Sequence, residues 1–207
     1  MTRLFRPPAL ALLGIAALLL SACPPTQPTR FYTLSGLMTP PADPAPDEPS
    51  LGFIGVGPVT LPAYVDRPQI VRRAGATRVV LADFDSWIEP LDSMVPRVLV
   101  ENLSLLLGTD EIWLLAQRRP PRLDYQVEVD VTRFDANAGG GEAVLDARWF
   151  IYGGAGERLL ASSRSTILER AAPSDGLEGE VEAMSRALGE LSRELADAIR
   201  DATRQRR

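Results

Sequence analysis

Histidine is absent from this 207-residue sequence, and cysteine occurs once, at position 23. Without histidine there can be no Ser-His-Asp or Cys-His nucleophile system. The commonest metal ligand is missing, and no unperturbed side chain titrates between about pH 5 and 8. A single cysteine permits no disulfide within the chain, so stability must come from a packed core. Basic charge is not in excess either. The formal net charge is −5, whereas a nucleic-acid partner requires Lys and Arg gathered on one face. The pair Arg118-Arg119 and the terminal Arg204, Arg206 and Arg207 are small clusters that read as solvated charge. The longest apolar run is too short to cross a bilayer of about 30 Å, which takes roughly 20 residues.

That run lies at the start of the chain. Arg3 and Arg6 precede an apolar stretch from Ala9 to Leu20, followed by the small residues Ser21 and Ala22 and then Cys23. This is the layout of a secretory signal. The order Leu20-Ser21-Ala22-Cys23 resembles the bacterial lipobox, which implies a diacylglycerol on the Cys23 thiol, cleavage after Ala22 and acylation of the new amino terminus. An ordinary secreted chain with an incidental cysteine is the alternative. One acyl chain binds a membrane only marginally, whereas two or three give stable attachment. The chain therefore divides into a signal peptide (1–22), a lipidated polar tether (23–29) containing Pro24-Pro25-Thr26-Gln27-Pro28, and one domain (30–207). Position 24 is proline and not the aspartate that commonly retains such proteins in the inner membrane. In a bacterium with two membranes, that favours the outer membrane, facing the periplasm.

With 45% hydrophobic and 24% charged residues, the domain has the composition of an ordinary globular protein large enough for a full core. Residues 30–34 are rich in strand formers and predict a first strand. A loop with five prolines between positions 40 and 49 follows. Leu51 to Pro62 reads as a buried strand; Gly55 and Gly57 form only a fragment of a dinucleotide fingerprint, with Thr60 where a third glycine would stand. Short strands are predicted at 69–73 and 78–82, then a helix within Trp87–Gly108 whose apolar positions recur at three and four. A proline is harmless in the first turn, where its missing N–H is unpaired anyway; Asp92 as N-cap would place Pro96 at the fourth helical position, so a regular start near there is expected, whereas a start at Pro90 would imply a kink. A short apolar strand is predicted at 112–116. Strict alternation of Tyr125, Val127, Val129 and Val131 with Gln126, Glu128, Asp130 and Thr132 marks a strand with one solvated face. Two glycine-rich turns, 138–141 and 153–156, then join three strands into an antiparallel meander. A second long helix, 176–203, repeats Val181, Met184, Leu188, Leu191, Leu195 and Ile199. It is a helix packed on its own sheet or, alternatively, a coiled-coil partner.

Candidate chemistry is sparse. Neither a GxSxG elbow, a Walker A loop, an HExxH helix nor a calcium loop is present. The acidic pairs Asp83/Asp85 and Glu178/Glu180 are candidates for paired carboxylate chemistry or hard-metal binding, with solvated surface charge as the alternative. Asn102-Leu103-Ser104 matches a glycosylation sequon but falls on a predicted helix. These residues yield no catalytic, metal or cofactor site.

Several landmarks together resemble the ABC-type transport auxiliary lipoproteins, the PqiC or YmbA type. They are the lipobox cysteine, Phe31-Tyr32-Thr33-Leu34, the run from Ile54 to Val59, Leu61-Pro62-Ala63-Tyr64-Val65-Asp66-Arg67-Pro68-Gln69-Ile70-Val71, Trp87-Ile88-Glu89-Pro90-Leu91, Leu99-Val100-Glu101-Asn102-Leu103, Tyr125 to Val129, and an amphipathic C-terminal helix. The resemblance spans nearly the whole chain after Cys23. Pro96 departs from it, since an ordinary helix former is expected there. It implies a single α/β domain, a mixed sheet with an antiparallel meander and two main helices packed on it. It also implies a non-enzymatic role as the outer-membrane lipoprotein of an Mce-type intermembrane lipid transport system. The implied partners are a periplasmic MCE-domain protein, whose tunnel it would dock, and the inner-membrane transporter. A homo-oligomeric ring would suit such a partner.

Between two strands, the loop Tyr64 to Gln69 exposes polar and aromatic groups without disturbing a core, so Tyr64, Arg67 and Gln69 are candidate partner contacts. The alternative is a structural turn with Arg67 paired to Asp66 or another carboxylate. Two other functions compete with transport: a general envelope-assembly lipoprotein, and a periplasmic enzyme using carboxylates.

Overall fold

The structure, a computed structural model, describes residues 27–38, 51–117, 120, 122–139, 141–154, 158–171 and 175–205. The signal peptide, Cys23, most of the proline-rich tether and the loop prolines 40–49 lie outside these residues. So do Arg118, Arg119, Arg206 and Arg207, and parts of both glycine-rich turns.

Among the described residues, eight strands and two helices follow in the order β1 (Arg30–Tyr32), β2 (Ile54–Thr60), β3 (Gln69–Arg73), β4 (Val79–Trp87), α1 (Leu91–Leu107), β5 (Ile112–Leu114), β6 (Tyr125–Asn137), β7 (Ala143–Gly153), β8 (Arg158–Glu169) and α2 (Gly176–Arg204). They form one domain with a curled mixed sheet, as the sequence predicts. The central strand is β6. One of its edges pairs along its length with antiparallel β7, and β7 pairs with antiparallel β8, which makes the expected meander. Its other edge is shared: the first half pairs with parallel β2, and the last residues, Ala136 and Asn137, pair with Arg72 and Arg73 of β3. The sheet therefore forks into β2–β5 and β3–β4–β1.

Both helices cover one face. Val127, Val129 and Val131 of β6 and Leu145, Ala147, Trp149 and Ile151 of β7 point into a core with Val98, Leu99 and Leu103 of α1 and with Leu188, Leu191 and Leu195 of α2. The heptad-like positions of α2 are thus buried within the domain. Past Val131 the register against β7 shifts by one. Phe134 therefore joins the core, and Asp135 turns to the opposite face.

The expectations for the region around Trp87 need correction. Strand β4 extends through Trp87, because its last three residues pair with parallel β1 (Arg30↔Asp85, Tyr32↔Trp87). Its polar residues Asp83, Asp85 and Ser86 mask this in the sequence. Helix α1 begins at Leu91 after Pro90, with no side-chain cap, so Asp92 is not the N-cap and Pro96 is the sixth helical residue. The helix still runs as one element. The carbonyl of Asp92, left without its partner four residues on, belongs to an exposed residue and can bond water. Gly108, at φ 63°, ends the helix as expected.

Candidate functional site

Residues 33–37, following β1, form a strap across the seam between the helices. The amide of Leu34 donates to Met94 Sδ (3.0 Å), that of Ser35 to Ser185 Oγ (3.1 Å) and that of Leu37 to Asn102 Oδ1 (2.7 Å). Asn102 is 1% exposed and also donates to Ser192 Oγ at 3.0 Å. The sequon asparagine is thus a buried bridge from α1 to the strap and α2. The strap fixes where the chain coming from Cys23 joins the domain.

The loop 61–68 folds over the outer face of the sheet, away from the helices. Val65 plugs it, 2% exposed. The Tyr64 hydroxyl donates to Asp135 Oδ2 at 2.7 Å, and the Arg73 guanidinium sits 5.8 Å from the Tyr64 ring centroid. Asp135 is fully buried and also accepts from Arg73 Nη2 (2.9 Å) and Arg133 Nε (3.0 Å). Burial alone would raise the Asp135 carboxyl. The hydrogen bonds from Arg73, Tyr64 and Arg133, with the charge of Arg133, outweigh it and hold the group below the usual aspartate value. Burial, then the bond to Asp135, pushes the Tyr64 hydroxyl up.

This cluster ties the loop down and leaves its end projecting. Arg67 and Gln69 are exposed. Pro68 receives the Trp87 amide on its carbonyl at 2.7 Å, which brings Asp66, Arg67 and Pro68 alongside Trp87, Ile88, Glu89 and Pro90. These residues line an open groove of about 300 Å³. Among the described residues neither Asp66 nor Arg67 has an ion-pair partner, whereas Glu89 is held by Arg97. Of the three candidate contacts, Arg67 and Gln69 face solvent, and Tyr64 positions the loop beneath them.

The acidic pairs do not converge. Asp85 is held by Arg30 through two bonds of 2.6 and 3.0 Å, while Asp83 is exposed. Glu180, 1% exposed, accepts from Arg72 Nε at 2.7 Å, while Glu178 is exposed. Gly55 is packed against Leu115 and Leu123, whose side-chain carbons would come within 2.7 and 2.9 Å of a Cβ. It is a close-packed strand position. Among the described residues no group of His, Cys, Asp or Glu is arranged to hold a metal, and no helix is long and apolar enough to cross a membrane. The Asp135 cluster has no sequence signature, because it depends on the bulge that reverses the facing of β6.

The family profile of ABC-type transport auxiliary lipoprotein components matches residues 32–196. The chain belongs to that family. Among solved structures, this auxiliary lipoprotein is similar to a Xanthomonas campestris protein of the DUF330 family, with a TM-score of 0.68 and 18% identity over 85% of this chain and 98% of that one. A second, uncharacterized protein gives a TM-score of 0.66 and 19% identity over 83% and 98%. These likenesses establish the fold. No curated protein matches the chain by sequence.

Proposed function

We propose that this auxiliary lipoprotein is anchored through Cys23 in the outer membrane and acts in the periplasm as the accessory subunit of an Mce-type lipid transport system. It docks the MCE-domain tunnel and performs no chemistry of its own. The observation that carries this reading is the pinned loop beside the open groove. Polar bonds commit Tyr64, Asp135, Arg73 and Arg133 to holding the loop, while Arg67 at its end and Gln69 at the start of β3 are exposed, and Arg67 has no ion-pair partner among the described residues. A rigid loop presenting an uncompensated guanidinium is suited to a protein contact, since little ordering entropy is lost on binding.

Co-purification from native membranes tests the reading. The wild-type chain is expected to retain an MCE-domain protein and its inner-membrane transporter, and Arg67→Ala with Gln69→Ala to lose most of that capture while remaining folded. Undiminished capture by the double variant would remove the loop from the contact. Absence of any MCE-domain protein from the wild-type eluate would remove the function.

A further inference from the structure

Of the eight exposed large hydrophobic side chains among the described residues, four, Phe31, Val79, Leu81 and Phe84, between 40% and 61% exposed, lie on the ribbon formed by β1 and β4. Phe31 is the register partner of Ser86, and Phe84 stands two residues before Ser86. Residues two apart on a strand share a face, so Phe31 and Phe84 are neighbours on the outer side, with Asp85 and Trp87 buried on the inner. Against β3 the register jumps between Gln69↔Ser86 and Val71↔Leu81. The extra residues in β4 change its facing, so Leu81 and Val79 continue the same exposed strip toward the hairpin turn at 74–78.

The direction of β1 decides what covers this strip. Because β1 runs parallel to β4 and begins beside Asp85, the chain preceding Arg30 leads back toward that turn, away from the Arg67 groove. Gln27 is the first residue described, four residues after Cys23. At about 3.6 Å per residue, those four residues span at most about 14 Å. On the anchoring proposed above, acyl chains on Cys23 would lie within that distance of Gln27.

We infer that the outer face of β4, with Phe31 of β1 beside it, rests on the interface of the bilayer that holds the Cys23 lipid. This rests on the anchoring proposed above. A strip of four apolar side chains would bind vesicles weakly by itself, but a tether this short keeps it at high local concentration against the surface. The exposed side chains of the strip are apolar, so the contact is insensitive to salt.

The test uses the palmitate-labelled lipoprotein reconstituted in phosphatidylethanolamine and phosphatidylglycerol vesicles. Cys23 is the sole native cysteine and its thiol is consumed by the lipid, so an introduced cysteine is a unique attachment point. Bimane on Phe84→Cys, and separately on Leu81→Cys, is expected to lose fluorescence to doxyl-labelled lipid and to be shielded from iodide, at low and high salt alike. Bimane on Asp197→Cys, on the exposed side of α2, is expected to show neither effect. Shielding from iodide without quenching by lipid would mean that a protein, a second copy included, covers the strip, and would overturn the inference. Free access of iodide to both sites would also overturn it. Failure of the wild-type chain to float with vesicles would instead refute the anchor itself, and with it this contact.

Discussion

Leu37 lies against Gly189 of α2 so closely that a Cβ on that glycine would fall 2.8 Å from Leu37 Cδ2. A helix-interior glycine ordinarily costs about 1 kcal/mol relative to a good helix former. Here its absent side chain lets the strap lie flat on the seam between α1 and α2. Substituting Gly189→Leu gains helix propensity and overpacks the strap, and overpacking costs about 1–3 kcal/mol. The expected result is a lower urea midpoint with faster amide exchange at Leu34, Ser35 and Leu37, whose N–H groups hold the strap down. A variant more stable than wild type, with strap exchange unchanged, would show that the glycine merely fills the helix.

The Asp135 cluster makes a pH-dependent contribution. Its folded carboxyl titrates below the ordinary aspartate value of about 3.9, so the stabilisation is complete above that value and is lost as pH falls through the lower, folded one. Asp135→Asn removes the buried charge from between Arg73 and Arg133 and weakens the bond that pins Tyr64. Both arginines reach solvent, so the expected loss at pH 7 is about 2–3 kcal/mol, at the low end for breaking a buried pair. In urea unfolding at pH 7 and pH 3, the variant should lose less stability between the two pH values than wild type does. Equal losses would place the acid-sensitive group elsewhere.

Much of the fold can be read in the sequence because its strongest periodicities coincide with burial. The alternation of Tyr125, Val127, Val129 and Val131 became the inner face of β6, and the spacing from Val181 to Ile199 became the buried stripe of α2. The segment around Trp87 could not be read, since Asp83, Asp85 and Ser86 are poor strand formers. They enter β4 only through pairing with β1 and the Arg30–Asp85 bond. The same limit hid the polar site. Asp135 faces Tyr64 only because β6 bulges after Val131, and the Asn102 bridge joins residues 65 and 90 positions away. Local patterns carry no record of such distant pairings, whereas the exposure of Arg67 followed from its place in a loop between strands; Gln69, expected in that loop, instead opens β3 opposite Ser86.

The proposed attachment depends on Cys23, and that role is separable from folding. The described domain builds its core without it: the strap begins ten residues later, and every buried apolar residue lies at or beyond Leu34. Cys23→Ser is therefore expected to leave the urea midpoint and circular dichroism of the domain unchanged while removing palmitate incorporation and shifting the protein from the membrane to the soluble periplasmic fraction. The shift should be complete, because four exposed apolar side chains cannot replace two or three acyl chains, each methylene of which is worth about 0.8 kcal/mol when buried. Retention of the serine variant in the membrane fraction with palmitate still incorporated would mean that lipid is carried elsewhere. Retention without palmitate would mean that a protein partner holds the chain.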